Sequence, residues 1–465
     1  MKYVYGSVIA LFFILFWFIG VVSIDPDFGW HLKMGEYILQ HGIPKTDPFS
    51  YTMPSYPFVD YEWLANIFIY QLYKFGRMGL LSLLFTGVLL SAFIIQIPKK
   101  YYSFAVLPLL LIFVTILSFV GIRIQIIVWF IFSLFFILLK NYDRLTWQRY
   151  LIPFILLFWT NIHGSFFIGL ILLVLFFVSC FLQKRKITIQ DWLIVLFSVI
   201  SSVISPYGFR LWEEILSISN DQYLHTAISE WLPTIFIPLI PLWFYTAFSL
   251  VLVWKQRNHF SLFEKITYVF FLLMGLWSIR HMILWFIVSL GMTVAAIQFF
   301  YSDVKKISEG KERFWFMYKI FFSIVIVVCI AQTGMNLKDT FISQEEHWYP
   351  KQSVLFIKGQ HLEGNIFSLY EWGGYLIWNL PEKKVFIDGR MPTWRLPNKK
   401  QNQSSYAFKE YMDVMAGKIP FKTIQEKYNI SYLLIRTTDV KMVQRIQHSL
   451  TIVHQDPTAT LYSFK

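Results

Sequence analysis

Long apolar runs recur along most of this chain, and they limit the structures open to it more than any other feature. Each run holds roughly 17 to 23 residues, and short polar stretches separate the runs. A spanning helix needs about 20 apolar residues, because the hydrocarbon layer of a membrane is about 30 Å thick. The chain is also 56% hydrophobic and only 15% charged, which is more apolar than a water-soluble core can hide. The sequence therefore predicts a polytopic membrane protein.

We expect about eleven spanning helices. The first run, after Lys2, lacks a small-residue cleavage site, so we interpret it as a retained helix and not as a signal peptide. Residues 61–76 are apolar but too short to span, and we expect them to form a helix lying in the outer interface. The predicted spans are roughly 3–23, 78–97, 102–120, 122–140, 149–162, 165–183, 191–206, 232–254, 265–279, 282–300 and 314–334.

Charge placement predicts the orientation. With the N-terminus inside and residues 61–76 not spanning, the inner loops hold about fifteen Lys and Arg, whereas the later outer loops hold only Arg123, Arg210 and Arg280. The loop 24–77 and the C-terminus are then extracytoplasmic. Because the cations of this chain, whose net charge is +13, flank the apolar runs, we expect membrane lipids and no nucleic acid as partners.

The fold class predicted is an all-α membrane bundle over residues 1–335 with a small α/β domain at 336–465. The first outer loop, 24–77, contains two interfacial helices, at 29–42 and 61–76. In the tail, β-rich runs alternate with helical patterns, and we expect some parallel pairing. The β-rich runs are 365–370, 384–390, 431–437 and 449–455, and the helical ones are 351–361, 406–416, 421–428 and 440–448.

Polar residues gather at the outer ends of the predicted spans. Ionisable groups near hydrocarbon are costly to keep, so their convergence indicates a functional site, here an outward-facing polar cavity. The residues are Asp25, Asp27, His31, Glu62, Arg123, Asn161, His163, Arg210, Glu213, Glu214, Glu230, Arg280 and His281.

Asp25 and Asp27 flank Pro26 where the first helix ends. In an extended chain both carboxylates would point to one side, about 7 Å apart, and could form a general base or hold a divalent cation. Alternatively, Asp27 only caps the helix that begins at Phe28. Glu62 has a similar alternative, since an acid at a helix start is favoured by the dipole alone. His31 would share a helix face with Asp27, or be structural.

Arg123 and Arg280 are strong cations in short outer loops, where a guanidinium fork matches a phosphate group. The alternative is an ion pair with Glu213, Glu214 or Glu230. In the tail, we interpret Gly373-Gly374 as a tight turn. Asp388 either pairs with Arg390 or caps a turn, or the two residues contact an acceptor.

Four segments resemble the GT-C superfamily of membrane glycosyltransferases, which includes protein mannosyltransferases, aminoarabinose transferases and oligosaccharyltransferases. They are DPDFGWHLKMGEYILQHGIPKTDPFSYT, FVDYEWLANIFIYQLYKFG, WTNIHGSFFIGL and YEWGGYLIWNLPEKKVFIDGR. The resemblance implies transfer of a sugar from a polyprenyl-phosphate-linked donor to an unknown envelope acceptor, on the outer face of a bacterial cell membrane.

The resemblance also implies a general base or metal ligand in the first outer loop, which Asp25 and Asp27 match, with Glu62 as a further catalytic candidate. Some branches use Mg or Mn, so a divalent cation at Asp25 and Asp27 is a possible cofactor. From their placement, the expected substrate-binding residues are His31, Arg123, His163, Arg210, Arg280 and His281. Two other functions stay open: a transporter or flippase, which would place charges near the bilayer midplane, and a degenerate GT-C scaffold in envelope assembly.

Overall fold

The computed structural model describes residues 2–306, 311–397, 400, 402–446 and 450–464. The chain divides into two compact units, each built from separate stretches. The first unit is Met1–Val21, Ser82–Ser205 and His225–Thr340, and the second is Val22–Leu81, Pro206–Leu224 and Phe341–Lys465. The first loop and the C-terminal residues therefore belong to one unit.

Helices make up most of the described chain. Helices α1 to α7 are Lys2–Val22, Phe28–His41, Trp63–Ile94, Val106–Ile116, Ile124–Lys140, Leu151–Ile162 and Phe167–Leu182. Helices α8 to α14 are Ile189–Ser201, Arg210–Asn220, Gln222–Ala227, Ile240–Lys255, Leu262–Trp277, Ile279–Lys306 and Lys311–Ile342. Helices α15 to α20 are Glu345–Trp348, Lys351–Gln360, Gly373–Asn379, Ala407–Met415, Phe421–Tyr428 and Val440–Arg445.

Each predicted span contains a helix. Within the described ranges, 5 helices are long and apolar enough to cross a membrane, and four shorter apolar helices accompany them. One predicted start is wrong, because the helix expected from residue 232 begins only at Ile240. Pro233, Pro238 and Pro241 explain the delay, since proline lacks a backbone N–H and keeps the preceding residue out of the helical region.

Helix α3 is broken at the position where the sequence separates residues 61–76 from the next span. Gly76 and Arg77 have non-helical backbone angles, with φ −141° and ψ 16° at Gly76 and φ 52° and ψ −157° at Arg77. The helix predicted at 61–76 is therefore present as the first half of α3. Its position in the membrane interface stays a prediction.

In the first unit, hydroxyl groups join three helices of the bundle. Ser249 on α11 is 2.8 Å from the Tyr268 hydroxyl on α12 and 2.8 Å from that of Thr293 on α13. Tyr245 likewise bonds Ser289 at 2.8 Å. Buried hydroxyls that satisfy one another hold membrane helices together where burial of apolar surface provides little driving force.

The second unit contains a four-stranded mixed sheet. Its strands β1 to β4 are Asn365–Ser368, Ile430–Arg436, Leu450–Gln455 and Ala459–Phe464, in the order β1-β2-β4-β3. β1 pairs parallel with β2, and the other two pairings are antiparallel. Phe367 and Leu433, which are register partners, are fully buried, as is Leu461. The predicted α/β tail with parallel pairing is confirmed.

Three details of the tail differ from the prediction. Residues 384–387 join no strand of the sheet; Val385 instead forms an isolated parallel bridge to Ser50. Strand β4 was missed, although its alternating pattern follows the turn-forming Asp456-Pro457. The helix expected at 440–448 ends at Arg445, and residues 447–449 lie outside the described residues.

Candidate functional site

The acid pair at the end of α1 lies in a tight turn. The backbone N–H of Phe28 donates to the carbonyl of Asp25 at 3.0 Å, and the N–H of Asp27 donates to Asp25 Oδ1 at 3.0 Å. Asp27 has φ −88° and ψ −17°. The extended arrangement expected for the pair is therefore wrong. Asp followed by Pro is typical of a type I turn, because proline presets the backbone of the second position.

Asp27 occupies the N-cap position of α2, but its side chain makes no capping hydrogen bond. The alternative that the Asp27 side chain serves to cap α2 is therefore wrong. Asp27 Oδ1 instead accepts a hydrogen bond from Trp30 Nε1 at 2.9 Å. The same carboxylate lies directly against Gly389, where an added Cβ would be only 1.8 Å from Oδ1. Glycine at 389 thus leaves room for the Asp27 carboxylate.

Close backbone contacts around α2 and α17 explain three further glycines of this region. A Cβ on Gly29 would lie 2.1 Å from the carbonyl oxygen of Gly374, and one on Gly374 would lie 2.2 Å from that of Pro26. A Cβ on Gly373 would meet the carbonyl of Ile387 at 2.2 Å. The tight turn predicted at Gly373-Gly374 is wrong, because the pair opens α17 and allows two helices to touch.

Arg390 is buried between two carboxylates. Its Nε and one terminal nitrogen each lie 2.7 Å from Asp388, and the other terminal nitrogen lies 2.8 Å from Asp47. Burial alone would lower the pKa of Arg390, but the two carboxylates raise it above its ordinary value. Of the alternatives that the sequence left open, the structure therefore shows the ion pair between Asp388 and Arg390. Four aromatic rings, those of Trp30, Phe49, Phe58 and Trp394, also face the guanidinium.

His31 belongs to a buried hydrogen-bonded chain. Asn66 Nδ2 donates to both carboxylate oxygens of Asp60, at 3.1 and 2.9 Å, so the Asn66 carbonyl oxygen faces His31 Nδ1 at 2.7 Å. An amide oxygen can only accept, and the Nδ1 atom must therefore carry the proton. Burial lowers the pKa of His31 to about 3. His31 is thus neutral at pH 7, and Nε2 holds the lone pair.

Two carboxylates lie beside the hydrogen-bonded residues His31 and Asn66. Glu62 is buried, with Oε2 3.9 Å from His31 Nδ1, and its backbone N–H donates to Asp60 Oδ1 at 3.0 Å. Burial raises the pKa of Asp60 to about 6, although the hydrogen bonds from Asn66 and Glu62 offset part of that effect. Sequence analysis missed Asp60 and Asn66. A signal was available, since Asn66 lies one helical turn after Glu62 on an otherwise apolar face.

Arg210 lies at the start of α9 in the second unit. It is exposed and donates to the backbone carbonyl of Pro57 at 2.9 Å. On the same helix, burial raises the pKa of Glu214 to about 7, partly offset by the Tyr56 hydroxyl, 3.5 Å away, and by Arg210. Glu214 can therefore exchange a proton near neutral pH.

The other predicted cations lie in the first unit, around a cavity of about 70 Å³. Arg123 forms an ion pair with Glu230 at 2.8 Å, which is the alternative that the sequence left open. Arg280 lies over the Trp231 ring at 5.3 Å. Burial alone would raise the pKa of Glu230, but Arg123 and Arg280 outweigh burial and hold it below its ordinary value. The polar residues lining the cavity are Gln125, Arg123, His163, Ser165, Glu230, Arg280 and His281.

Two histidines line this cavity. His163 Nδ1 accepts a hydrogen bond from the backbone N–H of Ser165 at 2.9 Å and also lies 2.9 Å from the Ser165 hydroxyl. His281 Nδ1 is buried and finds no hydrogen-bond partner among the described residues. The first unit therefore gathers Arg123, His163, Arg280 and His281, whereas Asp25, Asp27, His31, Glu62 and Arg210 belong to the second. No group of three or more metal-binding side chains occurs within the described ranges.

Comparison with known proteins identifies the fold. No family model and no curated protein matches the chain. Among solved structures, ArnT from Cupriavidus metallidurans in the apo state has a TM-score of 0.56 at 11% identity, covering 98% of this chain and 97% of that one. ArnT bound to undecaprenyl phosphate has a TM-score of 0.56 at 12% identity, with the same coverage.

The Archaeoglobus fulgidus oligosaccharyltransferase, tethered with an acceptor peptide, has a TM-score of 0.53 at 10% identity. This match covers 100% of the present chain and 74% of the archaeal one. ArnT and this oligosaccharyltransferase are GT-C membrane glycosyltransferases, so the GT-C-like fold inferred from the sequence is confirmed. At these identities the likeness extends to the fold alone.

Proposed function

We propose that this protein is a membrane glycosyltransferase that moves a sugar from a polyprenyl-phosphate-linked donor to an envelope acceptor on the outer face of a bacterial cell membrane. The observation that carries the proposal is the GT-C-like fold over nearly the whole chain, matched by a structure that holds undecaprenyl phosphate. Because one fold can host several activities, the assignment of chemistry depends on the residues of the candidate site.

The topology proposed has about eleven spans, with the loop 24–77 and the C-terminal residues outside. This orientation leaves the inner loops rich in Lys and Arg. Cysteine labelling with an impermeant reagent tests it. Labelling of intact cells at an introduced Cys near 400, and not near 185, is the expected result, and the reverse would contradict the orientation.

The general base is assigned to Asp25 or Asp27, with Glu62 as the third candidate. An acceptor hydroxyl must lose a proton as it attacks the anomeric carbon, and a carboxylate within hydrogen-bond reach can take that proton. Asp27 is held in one orientation by the Trp30 indole. The lone pair on His31 Nε2 can accept a hydrogen bond from a sugar or acceptor hydroxyl, because Asn66 holds the proton on Nδ1.

The donor phosphate is assigned to the cavity of the first unit. Arg123 and Arg280 can pair with phosphate oxygens through their guanidinium forks. Burial and the neighbouring Arg280 lower the pKa of His281 to about 4, so neutral His281 can donate one further hydrogen bond from a ring N–H. Arg123 is already paired with the Glu230 carboxylate, so a phosphate would compete with that carboxylate for the guanidinium. His163, in the same cavity, and Arg210, in the second unit, are proposed as further substrate contacts.

A divalent cation, Mg or Mn, is proposed at Asp25 and Asp27. The donor set fits Mg²⁺ in part, since this ion is commonly held by one or two carboxylates while waters and substrate phosphates complete its six ligands. When bound, such an ion would supply positive charge to an anionic substrate group. Chelator treatment followed by repletion tests the assignment; unchanged transfer after chelation would remove it.

The experiment is a transfer assay of the purified full chain with a panel of polyprenyl-phosphate sugars. Asp25→Asn and Asp27→Asn are compared with the parent, and Asp143→Asn, an exposed acid of the loop after α5, is the matched control. At least one of the two variants should lose about 10²- to 10⁴-fold in rate, because positioned base catalysis contributes that much. The control should keep the parent rate.

Two outcomes would contradict the proposal. A parent protein that turns over no lipid-linked sugar, yet moves it across the membrane of a vesicle, is a flippase. A parent that does neither is a scaffold. If the parent transfers sugar and both variants match it, then the base must be sought at Glu62 or elsewhere.

A further inference from the structure

A second cavity lies in the second unit, between α2, the first half of α3 and α17. It encloses about 290 Å³. Its lining combines cations with aromatic rings and contains one acid. The lining residues are Leu32, Lys33, Glu36, Tyr70, Tyr73, Lys74, Arg77 and Trp378. None of them belongs to the site proposed above. We call this cavity the basic groove.

The basic groove carries an excess of positive charge. Lys33 is neutralised by an ion pair with Glu36, whose other oxygen accepts a hydrogen bond from the Tyr70 hydroxyl at 3.4 Å. Lys74 and Arg77 are exposed and form no ion pair within the described part of the chain. Two cations are therefore available to a ligand, and together they favour an anion.

The backbone at Arg77 is strained. Its φ of 52° and ψ of −157° fall where glycine alone avoids a steric cost, whereas the preceding residue, Gly76, has a negative φ. The guanidinium lies over the Tyr73 ring, 5.3 Å from its centre, and faces the groove. Strained residues of this kind occur at ligand clamps, and this one places a guanidinium at the groove.

The elements that form the groove also expose apolar side chains. Leu39, one turn beyond Glu36 on α2, is 48% exposed, and Leu32, Tyr73 and Trp378 line the groove itself. Beyond Arg77, α3 continues as an apolar helix suited to crossing a membrane. A ligand of this region would therefore meet cations and apolar surface together, as an amphipathic anion requires.

We propose that the basic groove binds the phosphodiester head group of an anionic phospholipid. The Arg77 fork and the Lys74 ammonium pair with the phosphate oxygens, and the acyl chains lie along Leu32 and the exposed Leu39. Trp378 also lines the groove, in keeping with the preference of tryptophan for the head-group level. Such a lipid would hold the broken helix α3 against α2.

The test is thermal unfolding of the detergent-solubilised full chain during titration with dioleoyl phosphatidylglycerol or dioleoyl phosphatidylcholine. Phosphatidylglycerol should raise the midpoint by about 3 °C at saturation, and phosphatidylcholine should not. In Lys74→Gln/Arg77→Gln the apparent affinity for phosphatidylglycerol should fall about 30-fold, since each cation near an anionic lipid contributes about a fivefold effect. The matched control is Lys45→Gln/Lys358→Gln, which removes two exposed cations of the same unit that lie outside the groove.

Arg77→Gly separates ligand binding from folding. Glycine relieves the strained φ, so this variant should be at least as stable as the parent without lipid, yet it should lose about fivefold in affinity for phosphatidylglycerol. The proposal is overturned if phosphatidylcholine stabilises the parent equally, or if the groove variants respond like the control pair. Equal stabilisation by soluble glycerol 3-phosphate would show a water-soluble phosphate as the ligand and would also overturn it.

Discussion

Gly389→Ala should displace the Asp27 carboxylate and little else. The added Cβ would lie 1.8 Å from Asp27 Oδ1, about 1.6 Å short of an ordinary van der Waals contact. Gly389 does not adopt a positive φ, so alanine itself fits the backbone. Asp27 must rotate away and lose its hydrogen bond from Trp30. Losing a hydrogen bond to a charged group should lower the free energy of unfolding by about 2 kcal/mol.

The effect on transfer should be larger than the effect on stability. A displacement of about 1 Å in a reacting group can lower a rate about 10²-fold, and we expect a loss of that size for Gly389→Ala. The assay is sugar transfer by equal amounts of parent and variant. Gly359→Ala is the control, because no atom lies within 4 Å of the Cβ that it adds to α16.

A double variant tests whether Gly389 acts through Asp27. If it does, Gly389→Ala combined with Asp27→Asn should be no slower than Asp27→Asn alone, since the carboxylate has already gone. A rate for Gly389→Ala equal to that of the parent would refute the reasoning that the position of Asp27 matters. A double variant slower by the full product of the single losses would show that Gly389 acts elsewhere.

Three further predictions concern charged and titratable side chains. Arg390→Met leaves two carboxylates uncompensated and should lower the free energy of unfolding by about 3–5 kcal/mol, measured by denaturant titration. Because the pKa of His31 falls to about 3 on folding, its contribution to stability is complete above pH 6.5 and is lost as pH drops toward 3. In His31→Gln the unfolding temperature should therefore depend less on pH between 6.5 and 3 than it does in the parent. Equal pH dependence in parent and variant would contradict this. Arg123→Gln should raise the KM for lipid-linked donor about tenfold with little change in kcat, whereas Glu230→Gln should lower that KM.

Much of the secondary structure could be predicted because it depends on local patterns. The apolar runs, the helix beginning at Phe28 and three strands of the tail all follow from spacing and composition. The predictions failed where context overrides pattern. Residues 384–387 have a strand composition, but Val385 pairs with Ser50 of the first loop, and such a partner cannot be read from the run itself.

The sequence by itself determined that this chain is a membrane protein with a GT-C-like layout and that acids follow its first helix, because hydropathy and the order of motifs are local properties. Only the tertiary structure decided what those residues contact. Asp27 meets Gly389, and Asp47 pairs with Arg390, although the partners in each pair are far apart in the chain. Orientation of a carboxylate, burial of a histidine and strain at Arg77 depend on neighbours supplied by folding, since pKa and hydrogen bonding respond to distance in space and not in sequence.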